Sequence, residues 1–133
     1  MSTPATAEFE ARSYELDPYG HLNNGVVVNW LEQGRLVYLR DRGLSYDSVP
    51  ERFAVRTVVL RQEITYKAQI RLGDRLLLTS RVVRCGTSSF DFEQSLAFSD
   101  GRAAASAAVR MVCVGEERRS APIPDGLRSL LES

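Results

Sequence analysis

The chain has 133 residues, of which 44% are hydrophobic, with 17 basic and 17 acidic side chains. This length suits one domain over residues 1–133 with a real core, and the balanced charge argues against nucleic acid or an anionic membrane as a partner. The N-terminus lacks the basic and apolar regions of a signal peptide, and no apolar run reaches the roughly 18 residues of a membrane span. The sequence therefore predicts a cytoplasmic protein.

Residues suited to metal binding are sparse. The chain has two isolated cysteines, Cys85 and Cys113, and a single histidine, His21. A zinc site built from cysteine and histidine alone needs about four such ligands at close spacing. We therefore expect neither a metal nor a cofactor, and we expect reduced thiols rather than a disulfide.

The first elements lead into a polar loop. Residues 1–7 are small and polar and are expected to be disordered, and residues 8–16 alternate loosely, as in a first strand. A turn-rich run then begins at Asp17, where Asp-Pro and the next glycine indicate a bend. After the bend, Asn23 or Asn24 suits the N-cap of a helix.

The helix is the most apolar segment of the chain. It extends from Asn24 to about Arg42 with apolar residues on more than one face, and Gly43 ends it. Such a helix is expected to be buried and surrounded by other structure. Gly34 lies within it and costs about 1 kcal/mol relative to alanine unless something packs closely against it. Residues 44–50 form a short connection with room for a helical turn.

The remaining chain is rich in β-branched and aromatic residues and is punctuated by glycine turns. Four strands are predicted, over residues 53–70, 75–84, 89–98 and 102–114, followed by a helical turn over residues 127–131. Strands segregated from one long helix predict an α+β fold in which an antiparallel sheet wraps around one long central helix. Its exposed face and edges favour assembly with further copies.

The polar loop carries the residues best suited to chemistry. An acid at Asp17, beside the start of a helix, is suited to act as a base or nucleophile, while unpaired helix N–H groups hold an oxyanion. The plainer alternative is that Asp17 caps a turn through its side chain, as most loop aspartates do.

A family resemblance adds to this interpretation. Residues 17–24 (DPYGHLNN), followed by residues 32–35 (EQGR), resemble the hot-dog-fold acyl thioesterases of the 4-hydroxybenzoyl-CoA thioesterase-like superfamily. Within it, the chain is similar to the methylketone-synthase-type acyl-ACP thioesterases of plants and their bacterial relatives. The strand-turn segment at residues 66–74 and the proline-bearing tail at residues 120–127 extend the resemblance over nearly the whole chain.

The resemblance implies a hot-dog domain, assembled as a homodimer or homotetramer, that hydrolyses an acyl thioester of coenzyme A (CoA) or acyl carrier protein (ACP). It assigns the catalytic carboxylate to Asp17, the oxyanion-binding backbone amide to Asn24, and a further catalytic part to His21. Gly20 and Asn23 in the same loop are expected to shape the substrate site. In relatives, the turn corresponding to Ser88 and Ser89 approaches the partner's active site, so both are candidates for substrate contact.

The chain departs from the family pattern at three positions. Val27, Gln69 and Tyr19 stand where many relatives have tyrosine, proline and asparagine, respectively. These differences leave the acyl group open. Two other functions remain as alternatives: a hot-dog dehydratase or hydratase, and a non-catalytic acyl-CoA-binding domain.

Overall fold

The computed structural model describes residues 2–133. Five strands form one antiparallel sheet in the order β1-β3-β4-β5-β2. Their bounds are β1 (Ala5–Glu10), β2 (Arg56–Tyr66), β3 (Arg75–Cys85), β4 (Ser89–Phe98) and β5 (Ala103–Val114). The helices are α1 (Asn24–Arg40), α2 (Ser48–Phe53) and α3 (Asp125–Glu132). The predicted order of one strand, a long helix and four further strands is confirmed.

Helix α1 begins where the sequence predicted. Asn23 is the N-cap, and its side-chain oxygen accepts a hydrogen bond from the Gly25 N–H at 2.8 Å. The helix ends at Arg40, and Gly43 follows with a φ of 73°, a left-handed conformation that glycine adopts without strain. Seven of its residues are buried: Val27, Trp30, Leu31, Gly34, Arg35, Tyr38 and Leu39. It is therefore the central helix that the apolar pattern predicted.

The sheet presents alternate residues to this helix. In β4, every second residue from Phe90 to Phe98 is buried, and β3 follows the same rule from Leu76 to Val82. Residues between them face outward, as the two-residue period of a strand requires. The core therefore lies between the inner face of the sheet and α1.

The N-terminus differs from the prediction. Residues 5–7 belong to β1, Ser2 donates a hydrogen bond to the Val82 carbonyl at 2.6 Å, and the Thr3 N–H donates to the Ser133 carbonyl at 2.8 Å. The expectation of disorder over residues 1–7 is thus wrong for residues 2–7, and Met1 lies outside the described residues. The order of these residues comes from the pairing of β1 with β3, and a partner so far away in sequence leaves no local signal.

Other boundaries also shift. Strand β1 ends at Glu10, opposite Arg75, and Ser13–Glu15 forms a short 3₁₀ helix where the sequence suggested more strand. The connection after α1 contains a second helix, and β2 begins at Arg56 rather than at residue 53. Cys85 and Cys113 are both free thiols, and burial raises the pKa of Cys113 to about 11, so it stays protonated at neutral pH.

Residues 2–133 contain neither a membrane-spanning helix nor a cluster of metal ligands. No helix there is long and apolar enough to cross a membrane. Within the same residues, no three His, Cys, Asp or Glu side chains cluster closely enough to hold a metal ion.

Candidate active site

The loop before α1 is held by Asp17. Its Oδ1 atom accepts hydrogen bonds from the N–H groups of Tyr19, at 2.8 Å, and His21, at 3.0 Å. Its backbone carbonyl accepts the Gly20 N–H at 3.0 Å, and Gly20 has a φ of 80°, which suits glycine. The turn-capping interpretation of Asp17 is therefore correct for Oδ1. Within residues 2–133, Oδ2 has no hydrogen-bond partner, so one carboxylate oxygen remains available.

The start of α1 offers an unused donor. Asn24 is the first helical residue, and no acceptor in the described chain takes its backbone N–H. The side chain of Asn23 already serves the N–H of Gly25, one residue later. A free amide at a helix N-terminus carries partial positive charge and suits a negative oxygen.

One cavity brings the predicted catalytic residues together. It has a volume of about 360 Å³ and lies between the Asp17 loop, the start of α1 and the ends of β2 and β5. Its lining includes Asp17, His21, Asn24, Val27, Tyr66, Lys67, Gln69 and Ala104. Hydrogen bonding between the Leu22 N–H and the Ile70 carbonyl, at 2.7 Å, fastens the loop to the segment after β2. The three residues assigned to catalysis thus share one cavity.

Sequence reasoning missed the opposite wall of this cavity. Tyr66, the last residue of β2, and Lys67, the next residue, line the same cavity as Asp17, and the Tyr66 hydroxyl lies 3.5 Å from the Asn24 carbonyl. Lys67 is the only lysine of the chain. The sequence signal was their place in residues 66–74, the segment that resembles the family. Val27 and Gln69, two departures from the family pattern, also line the cavity.

Four predicted substrate residues lie outside the lining. Gly20 and Asn23 belong to the loop and the helix cap but do not line the cavity. Ser88 lies in the β3–β4 turn and Ser89 begins β4, where the Ser89 hydroxyl accepts a hydrogen bond from Arg84 at 2.8 Å. Ser89 pairs with Val112, seven residues along β5 from the cavity residue Ala105, a separation of roughly 23 Å. One copy of the chain therefore does not bring these serines to Asp17.

The sequence profile described as the thioesterase-like superfamily matches residues 11–131. The chain belongs to this superfamily. The family predicted from residues 17–35 is thus confirmed.

Named relatives agree with this assignment. The chain is 30% identical over 92 residues to the chloroplastic acyl-acyl carrier protein thioesterase ATL3 of Arabidopsis thaliana, a match that covers 67% of the chain and 45% of ATL3. It is 28% identical over 127 residues to the long-chain acyl-CoA thioesterase FadM of Escherichia coli, covering 94% and 95% of the two chains. The chain therefore spans less than half the length of ATL3 but nearly all of FadM. Both relatives are thioesterases, as the predicted class of enzyme requires.

Solved structures support the fold. The 1,4-dihydroxy-2-naphthoyl-CoA thioesterase Slr0204 of Synechocystis superposes with a TM-score of 0.88 over 97% of this chain and 96% of its own, at 18% identity. At that identity the likeness concerns the fold alone. Together with the five-stranded antiparallel sheet around α1, it confirms the predicted α+β hot-dog fold.

Proposed function

We propose that this protein hydrolyses the thioester of an acyl-CoA or an acyl-ACP. One observation carries the proposal: Asp17, His21 and Asn24 line a single cavity at the N-terminus of the buried helix. A carboxylate beside a donor for an oxyanion is the pair of groups that acyl transfer from a thioester needs. Membership of the thioesterase-like superfamily supports the same reaction.

Asp17 supplies the carboxylate. Two backbone N–H groups hold Oδ1, so the carboxylate is fixed in direction while Oδ2 remains available. As a nucleophile, Oδ2 attacks the thioester carbonyl, the thiolate leaves and is protonated, and water then cleaves the mixed anhydride. As a general base, Oδ2 instead takes a proton from the water that attacks the carbonyl. Both routes release a free acid and a thiol.

We assign the Asn24 N–H to stabilising the negative charge that develops on the carbonyl oxygen in either route. When the carbonyl carbon is attacked, its oxygen becomes negative, and a preorganised donor stabilises that charge. We assign His21 to orienting the carbonyl from the same cavity and Gly20 to the tight turn that leaves room for the substrate. Asn23 acts by capping the helix and so fixing the direction of the Asn24 amide.

We further propose that the protein works as a homodimer or homotetramer in the cytoplasm. Strand β2 is a sheet edge on which Val58, Val59 and Leu60 are 43%, 44% and 63% exposed, a surface that a second copy would cover. Ser88 and Ser89 lie too far from Asp17 within one chain, so substrate contact by them requires a second copy. Light scattering of the purified protein tests the assembly.

The hydrolysis is tested with mixed acyl-CoA and acyl-ACP thioesters, with free thiol and free acid followed by mass spectrometry. Asp17→Asn is expected to lower turnover by about 10³-fold or more, since the amide keeps the turn but cannot act as base or nucleophile. The matched control is Asp100→Asn, because Asp100 also accepts an N–H two residues on, from Arg102 at 3.0 Å, in a hairpin outside the cavity. It is expected to keep nearly full activity.

Three results would reject parts of this proposal. A folded Asp17→Asn variant with a near-normal rate would remove Asp17 from the chemistry. Tight binding of thioesters without turnover would indicate a binding domain, and hydration of an enoyl thioester without cleavage would indicate a hydratase.

Single-turnover hydrolysis in ¹⁸O-water distinguishes the two roles of Asp17. If Asp17 is the nucleophile, water attacks the anhydride and leaves ¹⁸O in the peptide that contains Asp17. If it is a general base, the label appears only in the released acid.

A further inference from the structure

Lys67 brings a positive charge to the Asp17 cavity. Of the residues that line this cavity, it alone is a lysine or an arginine. Its side chain is exposed, and within residues 2–133 no carboxylate, that of Asp17 included, lies within 4.0 Å of its ammonium. An ammonium offers three N–H donors and no acceptor. The cavity therefore contains a carboxylate and a cation that are not paired with each other.

The backbone that carries Lys67 is fixed at both ends. The N–H groups of Lys67 and of the next residue both donate to the Ala104 carbonyl, at 2.8 and 3.2 Å. Further along, the Ile70 carbonyl accepts the N–H of Leu22 at 2.7 Å. This segment is thus fastened to β5 at one end and to the loop of Asp17 at the other. Lysine carries its charge on a flexible four-carbon stem, so the ammonium is free to follow a ligand from a fixed point.

One step of the proposed reaction is not assisted by the residues assigned so far. When Oδ2 of Asp17 attacks a thioester, the tetrahedral intermediate is able to expel either the aspartate or the thiolate. Carboxylic acids are much stronger acids than alkyl thiols, so the aspartate is the better leaving group and the intermediate tends to revert. The Asn24 N–H is assigned to the carbonyl oxygen and not to the sulfur. The forward reaction therefore needs a positive charge near the sulfur.

We propose that the Lys67 ammonium stabilises the thiolate as it leaves, which makes Lys67 a further catalytic residue. The inference rests on the proposed function, with Asp17 as the nucleophile. The bond between the carbonyl carbon and the sulfur breaks, and its electron pair passes to the sulfur. The ammonium donates a hydrogen bond to that sulfur while the acyl group stays on Asp17 as the anhydride. The thiolate then takes a proton from solvent, and Lys67 is unchanged at the end of the cycle.

Two thioesters of hexanoic acid test this role, because they differ only in the thiol that leaves. The pantetheine ester releases an alkyl thiolate, a strong base, whereas the thiophenol ester releases an aryl thiolate, a weaker base that leaves without help. Lys67→Met is expected to lower kcat about 10²-fold for the pantetheine ester and less than about threefold for the thiophenol ester. Lys67→Arg keeps the positive charge and is expected to bring kcat for the pantetheine ester back to within about tenfold of the unmodified protein.

The controls separate this role from other uses of a cation. Pantetheine carries no phosphate, so a loss of kcat with its ester does not report a phosphate contact. Arg71→Met removes an exposed cation of the same segment that does not line the cavity. It is expected to change both rates by less than about threefold, because exposed charges interact weakly through water. Asp17→Asn is expected to slow both esters, since it removes the attack itself.

Each other outcome is decisive. Equal losses of kcat for the two esters in a folded Lys67→Met variant, or an unchanged kcat for the pantetheine ester, would overturn the role of Lys67 and leave the proposed hydrolysis standing. A raised KM for an acyl-CoA with an unaffected pantetheine ester would overturn it as well, because Lys67 would then bind phosphate. If the unmodified protein cleaves neither ester, the proposed hydrolysis fails and this inference fails with it. Thermal unfolding checks that the variants fold.

Discussion

Gly34 of α1 lies directly over Gln94 of β4. A Cβ atom at residue 34 would stand 3.0 Å from Nε2 of Gln94 and 2.9 Å from the hydroxyl of Ser80, and it would also collide with Leu78. Because this side chain is missing, the helix comes close enough for Gln94 to donate to the Leu31 carbonyl. The glycine that seemed a cost within the helix is thus a requirement of the helix–sheet contact.

Gly34→Ala is expected to lower the free energy of unfolding by about 1 kcal/mol. Alanine favours the helix by about 1 kcal/mol, but an extra methyl group in a packed core costs about 1–3 kcal/mol. Here the cost prevails because Gln94 is fixed by its own hydrogen bonds and cannot move aside freely. Urea unfolding measures the change, and Gln33→Ala, on the exposed face of the same helix, is the control. If Gly34→Ala were more stable than the unmodified protein, the side chains of the sheet beneath residue 34 would have to move aside for the added methyl group.

Gln94→Met is expected to lower the free energy of unfolding by about 3 kcal/mol. The two side chains have similar volume, so packing is kept, but the Leu31 carbonyl, the Ser80 hydroxyl and the Arg35 guanidinium each lose a partner. An unsatisfied buried group costs about 1–3 kcal/mol. Gln33→Met makes the same change where the side chain is exposed and is expected to be nearly neutral. Equal urea midpoints for the two variants would contradict this account.

Elements with local signals were predictable from the sequence. Strand β4 has the predicted bounds, 89–98, because turns enclose it and its alternation is strict. Helix α1 starts at the predicted residue because a capping asparagine precedes an apolar run. The common cavity of Asp17, His21 and Asn24 was also foreseeable, since eight residues of one loop carry all three.

Features that depend on distant partners were not predictable in the same way. An arginine in a helix is normally solvated, so the burial of Arg35 depends on Gln94, 59 residues away. The burial of Gln94 had a partial signal in the sequence, because this residue lies two positions from both Phe92 and Leu96 and therefore shares the buried face of β4 with them. The wall formed by Tyr66 and Lys67 likewise needed the pairing of β2 with β5, which no local pattern specifies.

Asp91 links the stability of the sheet to pH. Its carboxylate accepts hydrogen bonds from Arg110 and Arg84, each at 2.8 Å, on the outer face of the sheet. The hydrogen bond from Arg110, followed by that from Arg84, holds the pKa of Asp91 well below its usual value, against the opposing effect of burial. A lowered folded-state pKa means that the carboxylate stabilises the fold above the unfolded pKa, about 3.9, and that this contribution is lost as pH falls.

Asp91→Asn is therefore expected to lower the free energy of unfolding by about 1–2 kcal/mol at pH 7, after allowance for solvent screening at two partly exposed arginines. The difference from the unmodified protein is expected to shrink as pH falls below 4, because the carboxylate becomes protonated in the unfolded chain there while the folded protein keeps it ionised to lower pH. Urea unfolding at pH 7 and pH 3 measures it. Asp47→Asn, at an exposed position, controls for the loss of one negative charge. A pH-independent difference would contradict the ion-pair explanation.

The oxyanion role proposed for Asn24 concerns its backbone N–H, so changing its side chain is a weak test. Proline at this position removes the N–H itself. Proline is well tolerated as the first residue of a helix, where the N–H has no intrahelical partner. The preceding residue, Asn23, has φ −62° and ψ 135°, the extended conformation that a residue before proline adopts. The backbone around position 24 is therefore compatible with proline, and the substitution removes the N–H that is under test.

Asn24→Pro is expected to lower the turnover of a thioester by about 10²–10³-fold, the usual effect of losing one oxyanion donor. Asn24→Ala keeps the N–H and is expected to retain most of the activity, so the pair separates the backbone from the side chain. Thermal unfolding should show both variants within a few degrees of each other, because the Asn23 cap on Gly25 is kept in each. If the two variants lose activity equally while folded, the side chain or the loop conformation is responsible, and the oxyanion donor must be sought elsewhere in the cavity.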